Sequence, residues 1–423
     1  MNSKQKDSLA SGSFILSCGR SGSSLLRYIL DTHVDIASPG ELNTGKVCQD
    51  LYHFVASTVG AASDIADVAE KNHMVLAEIR QIMSGLLNRY AAVKNKSIWC
   101  EKTPSNLDYI DTLKAVFPDA KYICLYRHAM DTVHSLIEIA PQAERNSQDT
   151  VSKMVNHWIN QTKKLLIYER DNSAQCFRIK YESIVTNPTE TLEPLFTFLG
   201  VAWDISLLDK VFSVNHDPGL GDPKLIYSSQ IHQNSIGKGA KISRSHIPEP
   251  LLQEMNTLLE ELDYPVVGSD WDNVTLSSSP IDTIPKQGKT FSSIEEIFLN
   301  YLPERVKEWI DKQPDSKTIY KIVITGDEGG IWTIDLTKPS NWISTENGKA
   351  DCTVTLSSQT LMDIINGKQN PAEALMEGKV DLVGDMLQAE MLGLLIVEGS
   401  HKQNLENEFW WRDVALEVAR ERS

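Results

Sequence analysis

The run CGRSGSS, residues 18–24, places one arginine and three serines around two glycines, between strand-like residues 14–17 and an apolar helix-like start at 25–30. Residues of these types at this spacing bind anions. Gly19 and Gly22 permit a tight turn, so successive backbone N–H groups and a helix N-terminus can converge on one anionic group. Arg20, Ser21, Ser23 and Ser24 add side-chain donors. An ATP-type loop needs Gly, four residues, then Gly-Lys-Ser/Thr. No lysine follows Gly22 here, so ATP hydrolysis is disfavoured. Taken alone, the run also reads as a Gly/Ser turn between a strand and a helix.

Further charged residues stand at other element ends. Arg127 closes the apolar run KYICLYR, and Ser135 follows eight residues later, about two helical turns on. Ligands of an open parallel sheet bind at the carboxyl ends of its strands, so Arg127 can share a pocket with the first loop. Its alternative is an ion pair with Asp131 at i+4. Glu101 and Lys102 stand at the exit of SIWCEKTP, and Glu41 just beyond the Pro39-Gly40 turn. Gly237-Lys238-Gly239 is either an anion-binding turn, with Lys238 and Gly239 contributing, or an exposed loop.

The elements that must position these residues follow from hydrophobic periodicity. Strands at 14–17, 97–104, 121–127 and 176–182 alternate with helical patterns over 25–30, much of the stretch to 94, 106–117, 150–168 and 194–199. This predicts an α/β fold, a doubly wound parallel sheet with a P-loop-like phosphate site. Residues 215–248 read as loop. Between 264 and 291 periodicity gives way to Ser, Thr and Pro, a linker composition. Beyond it, a helix (292–310) precedes alternating runs at 320–325, 330–336 and 350–356, read as half-buried antiparallel strands of an α+β domain. Short helices near 358–366 and 371–377, a strand in GKVDLVGD and an apolar closing helix at 386–397 complete it. The expected division is 1–267, a linker at 268–290, a second domain at 291–402 and a tail at 403–423.

Composition narrows the function classes. The chain has 423 residues, 41% of them hydrophobic, and a net charge of −16. That balance argues against nucleic acid or an anionic membrane surface as the main partner. The six cysteines are widely spaced without a CxxC pair, so neither a zinc site nor a disulfide framework is expected. They read as reduced thiols in a cytoplasmic protein. No run approaches the ~20 apolar residues of a transmembrane helix, and the polar N-terminus lacks a signal-peptide core.

With these residues laid out, the first 270 or so positions resemble the PAPS-dependent sulfotransferases, which move a sulfuryl group from 3′-phosphoadenosine-5′-phosphosulfate (PAPS) to an acceptor. GRSGSSLLRYIL resembles the family's 5′-phosphosulfate loop in its protein-tyrosine and bacterial branches, with Arg20 where other branches carry lysine. LYRHAMDTVHS resembles the 3′-phosphate motif, with Arg127 and Ser135 at the family's spacing. KYESIVTNPTETLEPLFTFLG is a third match, in which Tyr181 corresponds to a nucleotide-side residue. The resemblance implies PAPS as co-substrate, no required metal, and catalytic roles for Arg20, Lys102 and Glu41. Lys102 matches a lysine of the protein-tyrosine branch that could reach the departing bridging oxygen. Glu41 matches that branch's catalytic glutamate at the same offset from the loop arginine. Glu101, His33, His128 and His134 are its rivals as general base.

The C-terminal runs GIWTIDL, ADCTVTLS and NGKQNPAEALMEGKVDLVGD resemble SCP2-type sterol-carrier domains, which hold a lipid between a sheet and helices. A PAPS-type domain fused to a lipid-carrier type implies an acceptor hydroxyl on a hydrophobic molecule, a lipid, sterol-like or acyl/polyketide alcohol, free or on a carrier protein. The other readings are a non-catalytic, nucleotide-sensing lipid carrier and, weakened by the missing lysine, a P-loop kinase.

Overall fold

The computed structural model describes residues 12–138, 147–217, 230–273, 291–312, 317–326, 329–366, 368–369, 374–375, 378–384, 392–393 and 395–396. They form two compact units, one drawn from residues 12–273 and the other from 291–396. The expected tail at 403–423, linker residues 274–290, and most of the helices expected at 371–377 and 386–397 lie outside the described residues.

The first unit is built on β1 (Ser13–Ser17), whose five residues SFILS are all buried. Such an uninterrupted buried run belongs to a central parallel strand with both faces covered. α1 (Ser23–Thr32) follows, then β2 (Ile36–Ala37), α2 (Thr44–Val55), α3 (Val68–Val93), β3 (Ile98–Lys102), α4 (Ile110–Val116) and β4 (Lys121–Tyr126). α5 (Ala129–Glu138), α6 (Gln148–Asp171), β5 (Cys176–Lys180), α7 (Tyr181–Thr186), α8 (Pro188–Leu199) and α9 (Glu249–Glu261) complete the unit. The sheet order is β2-β3-β1-β4-β5, and every pair is parallel. The chain turns to one side of β1 for β2 and β3, then crosses to the other for β4. The carboxyl ends of β1 and β4 therefore lie side by side at a switch point, where open sheets bind ligands.

Phe14 sits at the centre of the core, its ring 5.4 Å from Trp99 and from Phe117 and 5.8 Å from Tyr122. Five of the six cysteines are buried and all six are free thiols. Burial pushes the thiols of Cys18, Cys48 and Cys100 up to about 12, which keeps them protonated and unreactive. No described helix is long and apolar enough to cross a membrane.

The second unit opens with α10 (Ile294–Glu296), which runs through a π-helical turn into α11 (Leu302–Lys312). Then come β6 (Ile319–Thr325), β7 (Gly330–Asp335), β8 (Ile343–Ser344), β9 (Cys352–Ser357), α12 (Ser358–Ile365) and β10 (Val380–Gly384). Along β6, Tyr320, Ile322 and Ile324 are buried while Ile319, Lys321 and Val323 are half-exposed and Thr325 is exposed, the period-two signature of a one-sided sheet. They join Phe298, Leu302, Val306, Ile334 and Leu356 in a second core. Phe298 stacks on Trp332 with centroids 4.5 Å apart. The expectation of purely antiparallel strands is corrected: β6 pairs with β9 in parallel, and the sheet, ordered β10-β9-β6-β7-β8, is mixed. Alternation reports a half-buried face, and strand direction leaves no mark on it.

Candidate active site

The loop after β1 delivers its donors with backbone conformations that its residues tolerate unequally. Gly22, the N-cap of α1, has φ 89°, and a Cβ there would lie 2.2 Å from Tyr181 Cδ2. Only glycine fits. Gly19 needs no such freedom, since a Cβ on it would meet nothing within 4 Å. The left-handed residue inside the turn is instead Arg20, at φ 65°, a conformation uncommon outside glycine. Ser21, Ser23 and Ser24 are buried around the start of α1. The first amides of a helix have no intrahelical acceptor, and Gly22 has no side chain with which to cap them.

The second expected anion site lies directly beside the first. Arg127, buried at the end of β4, donates from Nη1 to the Arg20 carbonyl at 2.9 Å and from Nη2 to the Ser235 carbonyl. Its guanidinium lies 4.6 Å from the centre of the Tyr181 ring. Arg20 Nε donates to Ser135 Oγ at 3.1 Å. Arg20, Gly22, Arg127, Ser135 and Tyr181 thus converge, although Tyr181 is 161 positions from Arg20 in the chain.

The ion pair weighed for Arg127 with Asp131 does not form. Asp131 instead accepts the N–H groups of Gly237 at 2.9 Å and Gly239 at 2.7 Å. The Gly237 and Gly239 N–H groups are thus engaged by a carboxylate of the same chain, which leaves the Lys238 side chain as the group of this turn that could meet an anion. Gly239 serves close packing, since its Cβ would lie 2.4 Å from the Met130 carbonyl carbon. Lys238 is half-buried at the start of a short 3₁₀ turn.

On the other side of β1, the end of β3 carries Lys102. Its ammonium forms a salt bridge with Glu41 and donates to Ser24 Oγ at 3.3 Å. Burial drives the Lys102 pKa below the usual lysine value, and the Glu41 carboxylate opposes that fall. Glu41 therefore meets both the lysine and, through it, the first turn of α1.

The segment bearing Glu41 is fixed on both flanks. Ser38 donates from its N–H to Asp31 at 2.9 Å, accepts from Arg27 at 3.1 Å and donates through Oγ to the Cys100 carbonyl at 2.5 Å. Asp31 is itself held by His216 at 2.7 Å and by Lys96. After Glu41, the N–H groups of Leu42, Asn43 and Gly45 donate to Glu101, Thr103 and Asn106 at 3.2, 3.1 and 2.9 Å.

The rivals of Glu41 have other occupations. Glu101 is fully buried among these donors, and burial raises its pKa above the usual carboxylate value. His33 uses one ring nitrogen against the Ala202 carbonyl and accepts the Asp35 N–H with the other. His128 does the same with the Pro265 carbonyl and the Met130 N–H. His134 faces Glu138 at 3.9 Å. Sequence reasoning missed Arg27, Asp31, Ser38, Thr103 and Asn106. The Asp31–Ser38 and Glu101–Asn106 spacings flank named candidates, but only pairing in space gives them meaning.

Family models match two stretches: the sulfotransferase family over residues 13–205 and the SCP-2 sterol transfer family over 300–396. A putative protein-tyrosine sulfotransferase of Caenorhabditis briggsae is 25% identical over 232 residues, 54% of this chain and 79% of that one. Hydroxysteroid dehydrogenase-like protein 2 of Xenopus tropicalis is 31% identical over 107 residues, 25% of this chain and 23% of that one. The sulfotransferase domain from the Synechococcus PCC 7002 olefin synthase superposes with a TM-score of 0.46 at 25% identity, covering 63% of this chain and 100% of that one. The chain is a sulfotransferase-family enzyme over residues 13–205, joined in one polypeptide to a domain of the SCP-2 sterol transfer family over residues 300–396.

Proposed function

We propose that this enzyme takes its sulfuryl group from PAPS and passes it, by in-line displacement, to the hydroxyl of a hydrophobic acceptor, with Glu41 as general base. The observation that carries this reading is the junction of two cationic sites at neighbouring strand ends, Arg127 on the Arg20 carbonyl and Arg20 on Ser135. A donor with anionic groups at both ends needs two such sites.

The residues fit that donor. Arg127 is buried, and its Nε has no partner among the described residues, a donor waiting for an acceptor. Gly22 lets the Tyr181 ring close against the loop, since a Cβ there would lie 2.2 Å from Tyr181 Cδ2. PAPS would supply an activated sulfuryl group on a phosphate leaving group. Arg20, Ser21, Ser23, Ser24 and the amides opening α1 would hold the 5′ side, while Arg127, Ser135 and Tyr181 would hold the 3′ side, with Lys238 near Arg127's partner loop.

The chemistry then falls to few groups. Transfer of this kind rests on positioning and on stabilising charge that develops in the transition state. Lys102 and Arg20 bring positive charge to the reacting centre, and Glu41 takes the proton of the attacking hydroxyl. Lys102 also holds the Glu41 carboxylate in place through their salt bridge.

A hydrophobic acceptor is supported by Leu42, 44% exposed beside Glu41, and by the lipid-carrier family of the second unit, which would hold a lipid. We assign the sulfotransferase domain to residues 1–267 and the lipid-binding domain to 291–402, and infer a cytoplasmic setting from the free, buried cysteines. Incubation with ³⁵S-labelled PAPS and a panel of lipophilic alcohols tests the proposal. Label should appear in at least one organic product; failure with the whole panel would sink the acceptor class.

A further inference from the structure

We propose that Glu101 is a positioning residue for this reaction, fixing the backbone of the segment that carries Glu41. The inference rests on the reading of Glu41 as the base. Glu101 and Lys102 are neighbours on β3, paired with Phe14 and Ile15 of β1, and consecutive strand residues point to opposite faces. They grip one segment in two ways. Lys102 holds the Glu41 side chain, whereas Glu101 holds the backbone one residue later, accepting the Leu42 N–H at 3.2 Å.

The grip is built rather than incidental. The Glu101 carboxylate is 0% exposed and also accepts the Thr103 hydroxyl and the Asn106 amide. Those two side chains in turn accept the N–H groups of Asn43 and Gly45. One buried carboxylate therefore organises three anchors of the 42–45 backbone, at Leu42, Asn43 and Gly45. Asn43 adopts a left-handed φ of 52° within them. Upstream, the segment is held separately through Ser38 by Asp31 and Arg27. Burying a carboxylate is costly unless its hydrogen bonds are met, and here all the donors serve the segment bearing Glu41. A misplacement near 1 Å can lower turnover by about 10²-fold.

The test compares Glu101→Ala, Glu101→Gln and Thr103→Val with the wild-type chain. Hydrogen exchange at the Leu42 amide should accelerate by at least about tenfold in Glu101→Ala, while the Ser38 amide is unchanged. Affinity for 3′-phosphoadenosine 5′-phosphate, by calorimetry, should stay within about twofold. Turnover of PAPS with 1-dodecanol should fall by about 10–100-fold in kcat, and less in Glu101→Gln, which keeps one accepting oxygen for the Leu42 N–H and the Thr103 hydroxyl but sets an NH2 against the Asn106 amide. In a Glu41→Gln background, Glu101→Ala should cost less than about twofold more, since a missing base has nothing to lose from misplacement. If Glu101→Ala does not fold, Thr103→Val carries the comparison, with a smaller loss in kcat and faster exchange at Asn43. Unchanged exchange at Leu42, or effects of Glu101→Ala and Glu41→Gln that multiply in full, would overturn the proposal. Absence of wild-type transfer would overturn it through Glu41 instead, a case the exchange data separate from failure at Glu101.

Discussion

The ammonium of Lys102 and the carboxylate of Glu41 form a salt bridge in which the lysine side chain is 1% exposed and the glutamate 14%. The cation is locked inside while its partner keeps one face toward solvent. Because burial lowers the Lys102 pKa, its charge is lost at a pH below the usual lysine value of about 10.4. Sulfuryl transfer should therefore fall off on the alkaline side below that value. Lys102→Arg, which keeps its charge, should push the alkaline limb upward even if kcat drops. A limb that stays put in Lys102→Arg would assign it to another group.

Arg127 should set the preference for a 3′-phosphate. Charge-assisted hydrogen bonds are worth about 1.5–3 kcal/mol, so Arg127→Ala should weaken binding of 3′-phosphoadenosine 5′-phosphate by about 10–100-fold. Binding of 5′-AMP should change little. Calorimetry on both ligands reads the difference, and equal losses for the two would contradict the role.

Gly22→Ala joins a positive φ of 89° to a Cβ that would lie 2.2 Å from the Tyr181 ring. The backbone term alone is about 1 kcal/mol, and the clash adds to it. The first unit should melt at a lower temperature, and nucleotide affinity should drop. Gly19→Ala, with open space around its Cβ, is the control and should leave both nearly unchanged.

The anchor at Asp31 should make the first unit acid-sensitive. Burial raises the Asp31 pKa, but the His216 hydrogen bond, Lys96 and the Ser38 N–H outweigh it, and the net direction is down. A lowered folded-state value means stability that is fully present above the unfolded value of about 3.9 and lost as pH falls through the lower folded value. Melting temperatures followed from pH 5 downward should show this loss in the wild-type chain and a flatter profile in Asp31→Asn. Parallel profiles would remove Asp31 from the account.

The sequence made much of this fold readable because the signals were local. FIL (14–16) and YICLY (122–126) are apolar runs bounded by polar residues, as short buried strands are, and Arg20, Arg127 and Ser135 stand at strand ends or on a following helix, where topology joins them. Glu101 was open to misreading for the opposite reason. A carboxylate next to a lysine is the same two letters whether it titrates in a cleft or accepts three buried hydrogen bonds, and only the return of residues 42–45 past β3 decides between them. The N–H groups of Gly237 and Gly239 meet Asp131, a carboxylate more than a hundred residues away, a pairing that no local spacing announces. β2 was missed because two residues carry no period.

Kinetics of Glu41→Gln, measured beside nucleotide binding, bear most directly on the reaction centre. The substitution keeps the shape of the side chain and removes its capacity to take a proton. Turnover of PAPS with a competent alcohol should fall by about 10²-fold or more, while affinity for 3′-phosphoadenosine 5′-phosphate stays at the wild-type level. Undiminished turnover in Glu41→Gln would contradict the account and take the general base away from Glu41.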